Sequence, residues 1–218
     1  MVVCFIFSIP LLFEGFESGN IPSTWKVGNG GNPNYTWQVM EYGSHYPLEP
    51  EPEGNYYVIC DSTSNVTVFD DTLYSPSVPI PQGLNDIALS FKIFFARDSG
   101  TTTRAYVMLK KFINSSWSGW NIIKIYGEGP DSLIFCGEDS INIYSQVIGA
   151  ESLKVAFRYF RNDSLYWFIL DAIKINANVS LIGDAGATGI ISPNGFFRPN
   201  IPCSVKIEVK NFSPNPLT

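Results

Sequence analysis

The 218-residue chain carries 14 Lys and Arg against 20 Asp and Glu, a formal net charge of −6, and is 45% hydrophobic and 15% aromatic. This apolar content is ample for a core and excludes a disordered chain. Phosphate binding needs concentrated Lys and Arg, so nucleic acid is not an expected partner. Abundant Tyr and Phe, punctuated by Gly and Pro, favour strands and turns over helices.

The chain begins with an apolar run at residues 1–12, MVVCFIFSIPLL. The run is too short for a transmembrane helix, so we do not expect an integral membrane protein. We predict the remnant of a secretory signal, although no Lys or Arg follows Met1 and no A-x-A cleavage site is visible. The alternative is a buried first strand. A signal implies that the protein is secreted or held at the cell surface.

Strand-like runs recur through residues 13–176, and no stretch beyond the N-terminus has a clear helical period. The runs AYVMLKK and LKVAFRY alternate between inside and outside positions. Nine strands joined by turns predict an all-β fold of two packed antiparallel sheets. The longest loops are expected at 42–55 and 127–140. The predicted strands are 37–41, 56–60, 71–74, 87–96, 104–112, 121–125, 141–147, 152–160 and 166–175.

Carboxylates accompany the first and last apolar runs of this segment. Glu14 and Glu17 lie in FEGFESGNIPSTW, and Asp171 lies in WFILDAIKI. An antiparallel sandwich often places its first and last strands side by side, so these acidic oxygens could share one cation. Ca²⁺ takes roughly six to eight oxygens, and Asp61 could join from a neighbouring strand end. The alternative is that these residues are solvated or cap turns.

The opening F-E-x-F-E-x-G-x-x-P-x-x-W, the aromatic-rich middle and the closing WFILDAIKI resemble the cleaved adhesin or choice-of-anchor J modules of bacterial surface proteins, and more distantly MAM domains. The resemblance implies a jelly-roll β-sandwich, without catalysis and often with a structural calcium ion. One departure is the loop VGNGGNPNYTW, which lacks the carboxylates that many such modules carry there.

The segment 177–218 begins with strand-like runs at 184–192 and 205–211. They look like the start of an immunoglobulin-like module, of the kind that commonly follows choice-of-anchor J modules. The segment is too short for the roughly seven strands of such a sandwich. We therefore predict a partial second β domain and further domains of the same polypeptide.

The four cysteines, Cys4, Cys60, Cys136 and Cys203, include no C-x-x-C pair, which makes zinc improbable. Within residues 13–176 the single disulfide that could form is Cys60–Cys136. The alternative is a pair of buried free thiols on strands.

Catalysis has little support in the sequence. His45 is the single histidine, no G-x-S-x-G occurs, and zinc or iron catalysis usually needs more His or Cys ligands. Carboxylates in the predicted loops leave glycoside hydrolysis formally open, but their spacing along the chain cannot test the separation it requires. We therefore predict that the protein is not an enzyme.

Aromatic residues in predicted loops suit glycan stacking, although sandwich cores also use them for packing. SSWSGW resembles a hairpin tip with two Trp residues. We predict a secreted, non-catalytic adhesion or accessory module that binds a glycan or a surface protein. The alternatives are an accessory domain of a peptidase or carbohydrate-active enzyme, and a structural spacer. The candidate ligand-binding residues are Tyr42, Tyr46, Trp117 and Trp120, with Tyr35 and Phe135 as further aromatic candidates.

Overall fold

The computed structural model describes residues 5–30, 36–43, 53–61, 69–129, 133–161, 167–181, 185–192 and 206–211. At 5–7, 61, 133, 180–181, 185–192 and 206–211 the description covers the backbone alone. The described elements, in chain order, are β1 (Phe5–Glu14), β2 (Lys26–Gly28), β3 (Trp37–Glu41), β4 (Tyr56–Asp61), β5 (Phe69–Tyr74), β6 (Val78–Pro79), β7 (Leu84–Arg97), β8 (Arg104–Ile113), β9 (Ser116–Trp117), β10 (Asn121–Tyr126), β11 (Leu133–Asn142), α1 (Tyr144–Val147), β12 (Ser152–Arg161), β13 (Trp167–Leu181), β14 (Ala185–Ser192) and β15 (Lys206–Asn211).

Two antiparallel sheets carry the fold. Within the described residues, sheet I has the strand order β11-β7-β13-β4-β3, with β1 added alongside β13. Sheet II has the order β10-β8-β12-β5-β2, with β6 beside β12 and β9 beside β8. The strands β14 and β15 form a separate two-stranded antiparallel ladder. The predicted all-β sandwich of two antiparallel sheets is therefore confirmed.

Aromatic side chains from both sheets meet in the core. Phe91 of β7 lies edge-on to Phe157 of β12, with 5.2 Å between ring centroids. Tyr159 of β12 is 6.0 Å from Phe168 of β13. The alternation of LKVAFRY is confirmed, because Leu153, Val155, Phe157 and Tyr159 are fully buried while Lys154 and Arg158 between them are only half-buried. The outer face of β12 is thus free to present polar side chains.

The first and last strands of the sandwich are neighbours, as the sequence predicts. Phe13 pairs with Lys174 and Glu14 with Ile173 in antiparallel register. On that side of β13, β4 pairs with residues 167–170 and β1 with residues 173–181. The register of β13 against β7 shifts between Asp171 and Lys174, and Ala172 there has a positive φ of 48°. A β-bulge therefore marks the point where β1 replaces β4 as the partner of β13.

Residues 5–14 form a strand, as in the alternative of a buried first strand, but the described side chains of residues 8–14 are exposed or half-buried. Residues 5–14 pair with β13 out to Leu181. The proposed boundary at 12/13 falls inside β1 and that at 176/177 inside β13, so neither coincides with the end of a strand. Removal of residues 1–12 as a signal would take away most of β1. The division into a signal, a sandwich and a second module stays a prediction.

Two sequence predictions for residues 127–147 are wrong. The predicted loop at 127–140 contains most of β11, and the predicted strand at 141–147 is split between the end of β11 and the single turn α1. The strand β11 was missed because it is an edge strand in which apolar and polar residues do not alternate with burial. Ile134 is 67% exposed, whereas Asp139 is half-buried.

The possible disulfide Cys60–Cys136 does not form. Cys60 is buried and Cys136 is exposed, and both are free thiols. Cys60 lies on β4 and Cys136 on β11, with β13 and β7 between them in sheet I. Three strand spacings amount to about 14 Å, whereas a disulfide needs Cα atoms within about 7 Å. The expectation of two buried thiols holds for Cys60 and is wrong for Cys136.

Candidate functional site

The three predicted metal ligands with described side chains lie around the junction of β1, the start of β4 and β13. We call Glu14, Glu17 and Asp171 the acidic clasp, since each accepts main-chain hydrogen bonds from a turn. Glu14 Oε1 accepts from the N–H of Phe16 at 2.7 Å. Glu17 accepts from the N–H groups of residues 55 and 56 at 3.0–3.2 Å. The clasp thus ties the turn after β1 and the segment before β4 onto the sandwich.

Asp171 is the most deeply placed member of the clasp, with no exposed surface. Its Oδ2 accepts from the N–H of Glu53 and its Oδ1 from the N–H of Ala172, both at 2.6 Å. Burial raises the pKa of Asp171 to about 6, although these two N–H groups and Lys92 act in the opposite direction. Burial also raises the pKa of Glu14, against the effect of its own main-chain hydrogen bond. Both side chains therefore resemble the turn caps that the sequence offered as the alternative to calcium.

The oxygens of the clasp include one main-chain carbonyl as well as carboxylates, which are the groups that calcium binds. Asp171 Oδ1 and the carbonyl oxygen of Glu53 both lie within 4 Å of the position where a side chain on Gly15 would begin. Among the described residues, however, no group of three or more His, Cys, Asp and Glu side chains is arranged to hold a metal ion. The backbone of Asp61, at the end of β4, pairs with that of Trp167 in β13, and the Asp61 side chain lies outside the description. Calcium binding by Glu14, Glu17, Asp61 and Asp171 stays a prediction.

A second candidate site lies on the outer face of sheet II. Cross-strand register places Tyr74 beside Ala156, and Ala156 beside Met108, in a row that crosses the sheet. Lys26 extends this row at one end and Ile122 at the other. Ala156 is small and has no exposed surface, whereas its neighbours are large. The row therefore forms a surface with a low middle and raised sides.

The two tryptophans predicted at a hairpin tip stand beside this row. β8 and β9 form a hairpin in which Phe112 pairs with Trp117. Asn114 and Ser115 at its turn both have positive φ, 50° and 62°. Two such residues define the type I′ turn of tight hairpins. The chain then leads into β10, and the ring of Trp120 comes to lie 5.4 Å from that of Tyr74.

Two open cavities share the rings of Tyr74 and Trp120. The first has a volume of about 320 Å³ and the second about 560 Å³. Both lie in the size range of small-molecule sites, which is roughly 300–1,000 Å³. We call the two together the sheet II groove. The first cavity is lined by Thr24, Lys26, Tyr74, Ser75, Lys110, Trp120 and Lys154. The second is lined by Gly28, Asn29, Gly30, Asp70, Thr72, Tyr74, Met108, Trp120, Ile122 and Arg158.

Cations lie against the aromatic rings of the groove. Lys110 Nζ is 4.8 Å from the ring centroid of Trp120 and 5.1 Å from that of Trp117. Lys154 Nζ is 5.2 Å from the Trp117 ring. Burial, followed by the charge of Lys154, lowers the pKa of Lys110. In the second cavity Arg158 binds Asp70 through two nitrogens at 2.6 and 2.7 Å. The groove thus combines flat apolar surfaces with hydrogen-bond donors.

The structure brings together part of the predicted ligand-binding set. Trp117 and Trp120 are linked through Lys110. Tyr42 is 48% exposed, but it follows β3 in sheet I and lines neither cavity. Phe135, predicted in a loop, lies in β11 and packs 5.4 Å from Tyr126. Tyr35, Tyr46 and His45 lie outside the described residues.

Sequence reasoning missed the cationic members of the groove. The alternation of AYVMLKK and LKVAFRY already placed Lys110, Lys154 and Arg158 on outer faces. Their convergence could not be predicted, because no sequence pattern shows that β8 and β12 are neighbours. Nothing in the sequence marked Tyr74 as a binding residue, since it is simply the last residue of a predicted strand.

Comparison with known proteins addresses the fold. No protein-family model and no curated protein matches the chain. Among solved structures, the K3 cleaved adhesin domain of Lys-gingipain from Porphyromonas gingivalis is 20% identical with a TM-score of 0.51, over 78% of this chain and 99% of that domain. The K1 cleaved adhesin domain of the same protein is 18% identical with a TM-score of 0.50, over 78% of this chain and 97% of that domain.

These identities establish a shared fold and nothing more. The resemblance to cleaved adhesin modules is therefore supported at the level of architecture, while the choice-of-anchor J and MAM-like names stay predictions. A carbohydrate-binding module of Caldicellulosiruptor saccharolyticus is 14% identical with a TM-score of 0.42, over 77% of this chain and 96% of that module. A TM-score this low supports no conclusion about function. Within the described residues, no helix is long and apolar enough to cross a bilayer.

Proposed function

We propose that the sandwich is a non-catalytic binding module that holds a glycan in the sheet II groove, as part of a secreted or surface-exposed protein. The observation that carries this proposal is the pair of rings, Tyr74 and Trp120, shared by two open cavities on one sheet face. Sugar rings offer flat C–H surfaces that pack against aromatic faces, while their hydroxyl groups need hydrogen-bond partners. A cleft with aromatic walls and a few polar groups meets both needs.

The groove is built on rigid elements, which suits recognition better than a loop does. Tyr74 ends β5 and is held against β2, where a side chain on Gly28 would come within 2.9 Å of its ring. Trp120 is held by its contact with Tyr74 and by the ammonium group of Lys110. Because these rings are already in place, binding would cost little ordering of side chains.

Two rival functions make different predictions about this face. A structural spacer needs no ligand, so no glycan would bind. An accessory module that binds protein would not lose its ligand when a free oligosaccharide competes. Catalysis is not part of the proposal.

The test is a glycan array probed with the wild-type chain, Trp120→Ala and Tyr42→Ala. Both variants remove an aromatic side chain with exposed surface, but Tyr42 lies away from the groove and serves as the matched control. We expect the wild type and Tyr42→Ala to bind the same glycans and Trp120→Ala to lose at least tenfold in affinity. Equal binding by Trp120→Ala, or no binding by the wild type, would overturn the proposal.

A further inference from the structure

Three lysines converge on the smaller cavity of the sheet II groove. Lys110 of β8 and Lys154 of β12 are direct cross-strand partners, and Lys26 lines the same cavity. Like charges placed directly opposite each other on a sheet are destabilising. The rings of Trp117 and Trp120 offset part of this repulsion, since an ammonium group is attracted to an aromatic face. They carry no negative charge, so the local excess of positive charge stays.

The carboxylates that form ion pairs in the described part of the chain lie elsewhere. Asp70 pairs with Arg158, while Asp139 pairs with Lys124 at 3.4 Å and Glu53 with Lys174 at 2.5 Å. The described lining of the smaller cavity contains no Asp or Glu. The lowered pKa of Lys110 agrees with this arrangement, because burial and Lys154 both oppose its charge.

This concentration of positive charge runs against the net charge of the whole chain, which is −6. General surface composition therefore does not account for it. We propose that the sheet II groove selects an acidic glycan, whose carboxylate or sulfate group is held among Lys26, Lys110 and Lys154 while a neighbouring sugar ring packs on Trp120 and Tyr74. This inference rests on the proposed function and adds the chemical class of the ligand.

The geometry favours an anionic sugar over other anions. The aromatic rings lie beside the ammonium groups, so one ligand must offer a packing surface and a negative charge within a sugar unit or two of each other. An anion in the cavity would also relieve the repulsion between Lys110 and Lys154. A nucleic acid could also supply stacking and charge, and the oligonucleotide in the experiment below tests that alternative.

The experiment measures binding by isothermal titration calorimetry at low and high salt. In the carboxylate arm, hexagalacturonate is compared with its methyl ester, which keeps the sugars and removes the charge. In the sulfate arm, sulfated cellohexaose is compared with cellohexaose. A single-stranded oligonucleotide of matched charge is the counter-probe. The variants are Lys110→Gln/Lys154→Gln and, as control, Lys111→Gln, which removes a charge from a neighbouring position of β8 that does not line the groove.

We expect at least one acidic oligosaccharide to bind tenfold or more tightly than its neutral counterpart, with the preference reduced by salt. The double variant should lose this preference, and Lys111→Gln should keep it within about twofold. The arm that responds identifies the carboxylate or the sulfate. Equal affinity for the acidic and neutral members of both pairs, an equal loss in Lys111→Gln, or equal binding of the oligonucleotide would overturn the inference. Neutral binding that Trp120→Ala abolishes would leave the proposed function standing, whereas the absence of any glycan binding would remove both.

Discussion

Removal of residues 1–12 should destabilise the sandwich, because β1 is part of sheet I. Its register against β13 runs from Phe5 opposite Leu181 to Glu14 opposite Ile173. Leu11 and Leu12 are partly buried and pack against the main core. Truncation would also open the edge of β13 between Ile173 and Val179 to water.

The size of the effect follows from what β1 buries. Full burial of a leucine side chain contributes roughly 1.5–3 kcal/mol, so two half-buried leucines contribute about 2 kcal/mol. The hydrogen bonds of the ladder add roughly 0.5–1.5 kcal/mol each. Ordering each residue of β1 costs about 1–2 kcal/mol, which nearly cancels the ladder. The expected loss is therefore about 2–3 kcal/mol, a large share of the roughly 5–15 kcal/mol that stabilises a domain.

The assay is urea unfolding of the chain 1–218 and the chain 13–218, followed by tryptophan fluorescence. A substitution of Leu12 to Ala in the longer chain should cost about 1–2 kcal/mol, and Ser8→Ala, at an exposed position, should cost almost nothing. Identical stability of the two chains, with no effect of the Leu12 substitution, would show that β1 does not belong to the fold. That outcome would favour the secretory signal instead.

Three further predictions concern the hairpin, the thiols and the clasp. Ser115→Gly should raise the free energy of unfolding by about 0.5–1 kcal/mol, because Ser115 has positive φ and Asn-Gly is a preferred type I′ pair; unchanged or lower stability would contradict the assigned turn. In variants with Cys4 and Cys203 replaced by serine, Cys136 should react with a maleimide in the native protein, whereas Cys60 should react only after unfolding. Labelling of both thiols at the same rate in the native protein would contradict their placement. If the clasp holds calcium, stability should rise with free calcium as RT ln(1 + [L]/Kd) and Glu17→Gln should abolish the rise; an unaltered melting temperature in chelator would leave the clasp as a set of turn caps.

The sequence predicted the architecture where burial is one-sided and regular. LKVAFRY has period two because one face of β12 meets the core, and that period is visible in the residues themselves. The edge strand β11 could not be found in this way, because its residue types do not follow its burial: Ile134 is exposed, whereas Gly137 and Asp139 are half-buried. The exposed residue Ile134 gave no indication of which side was buried.

Of the two candidate sites, the acidic clasp could be predicted in part from the sequence, and the sheet II groove could not. Glu14 and Asp171 could be brought together from sequence, because the first and last strands of a sandwich are often adjacent, and β1 indeed pairs with β13. The meeting of Lys110 with Lys154 depends on the pairing of β8 with β12, which are separated by β9, β10 and β11 along the chain. Which strands become neighbours is a property of the folded sheet, and the residue pattern within β8 or β12 does not identify its partner strand.

The most direct test of a glycan site on sheet II is a two-dimensional ¹⁵N–¹H spectrum recorded during titration with hexagalacturonate and, separately, cellohexaose. The indole N–H groups of Trp117 and Trp120 report on the groove, while those of the buried Trp25 and Trp37 report on the core. We predict that the largest shifts occur at Trp117, Trp120 and the amides of β8 and β12. Shifts confined to the acidic clasp or to sheet I, or a spectrum that neither sugar changes, would contradict a glycan site in the sheet II groove.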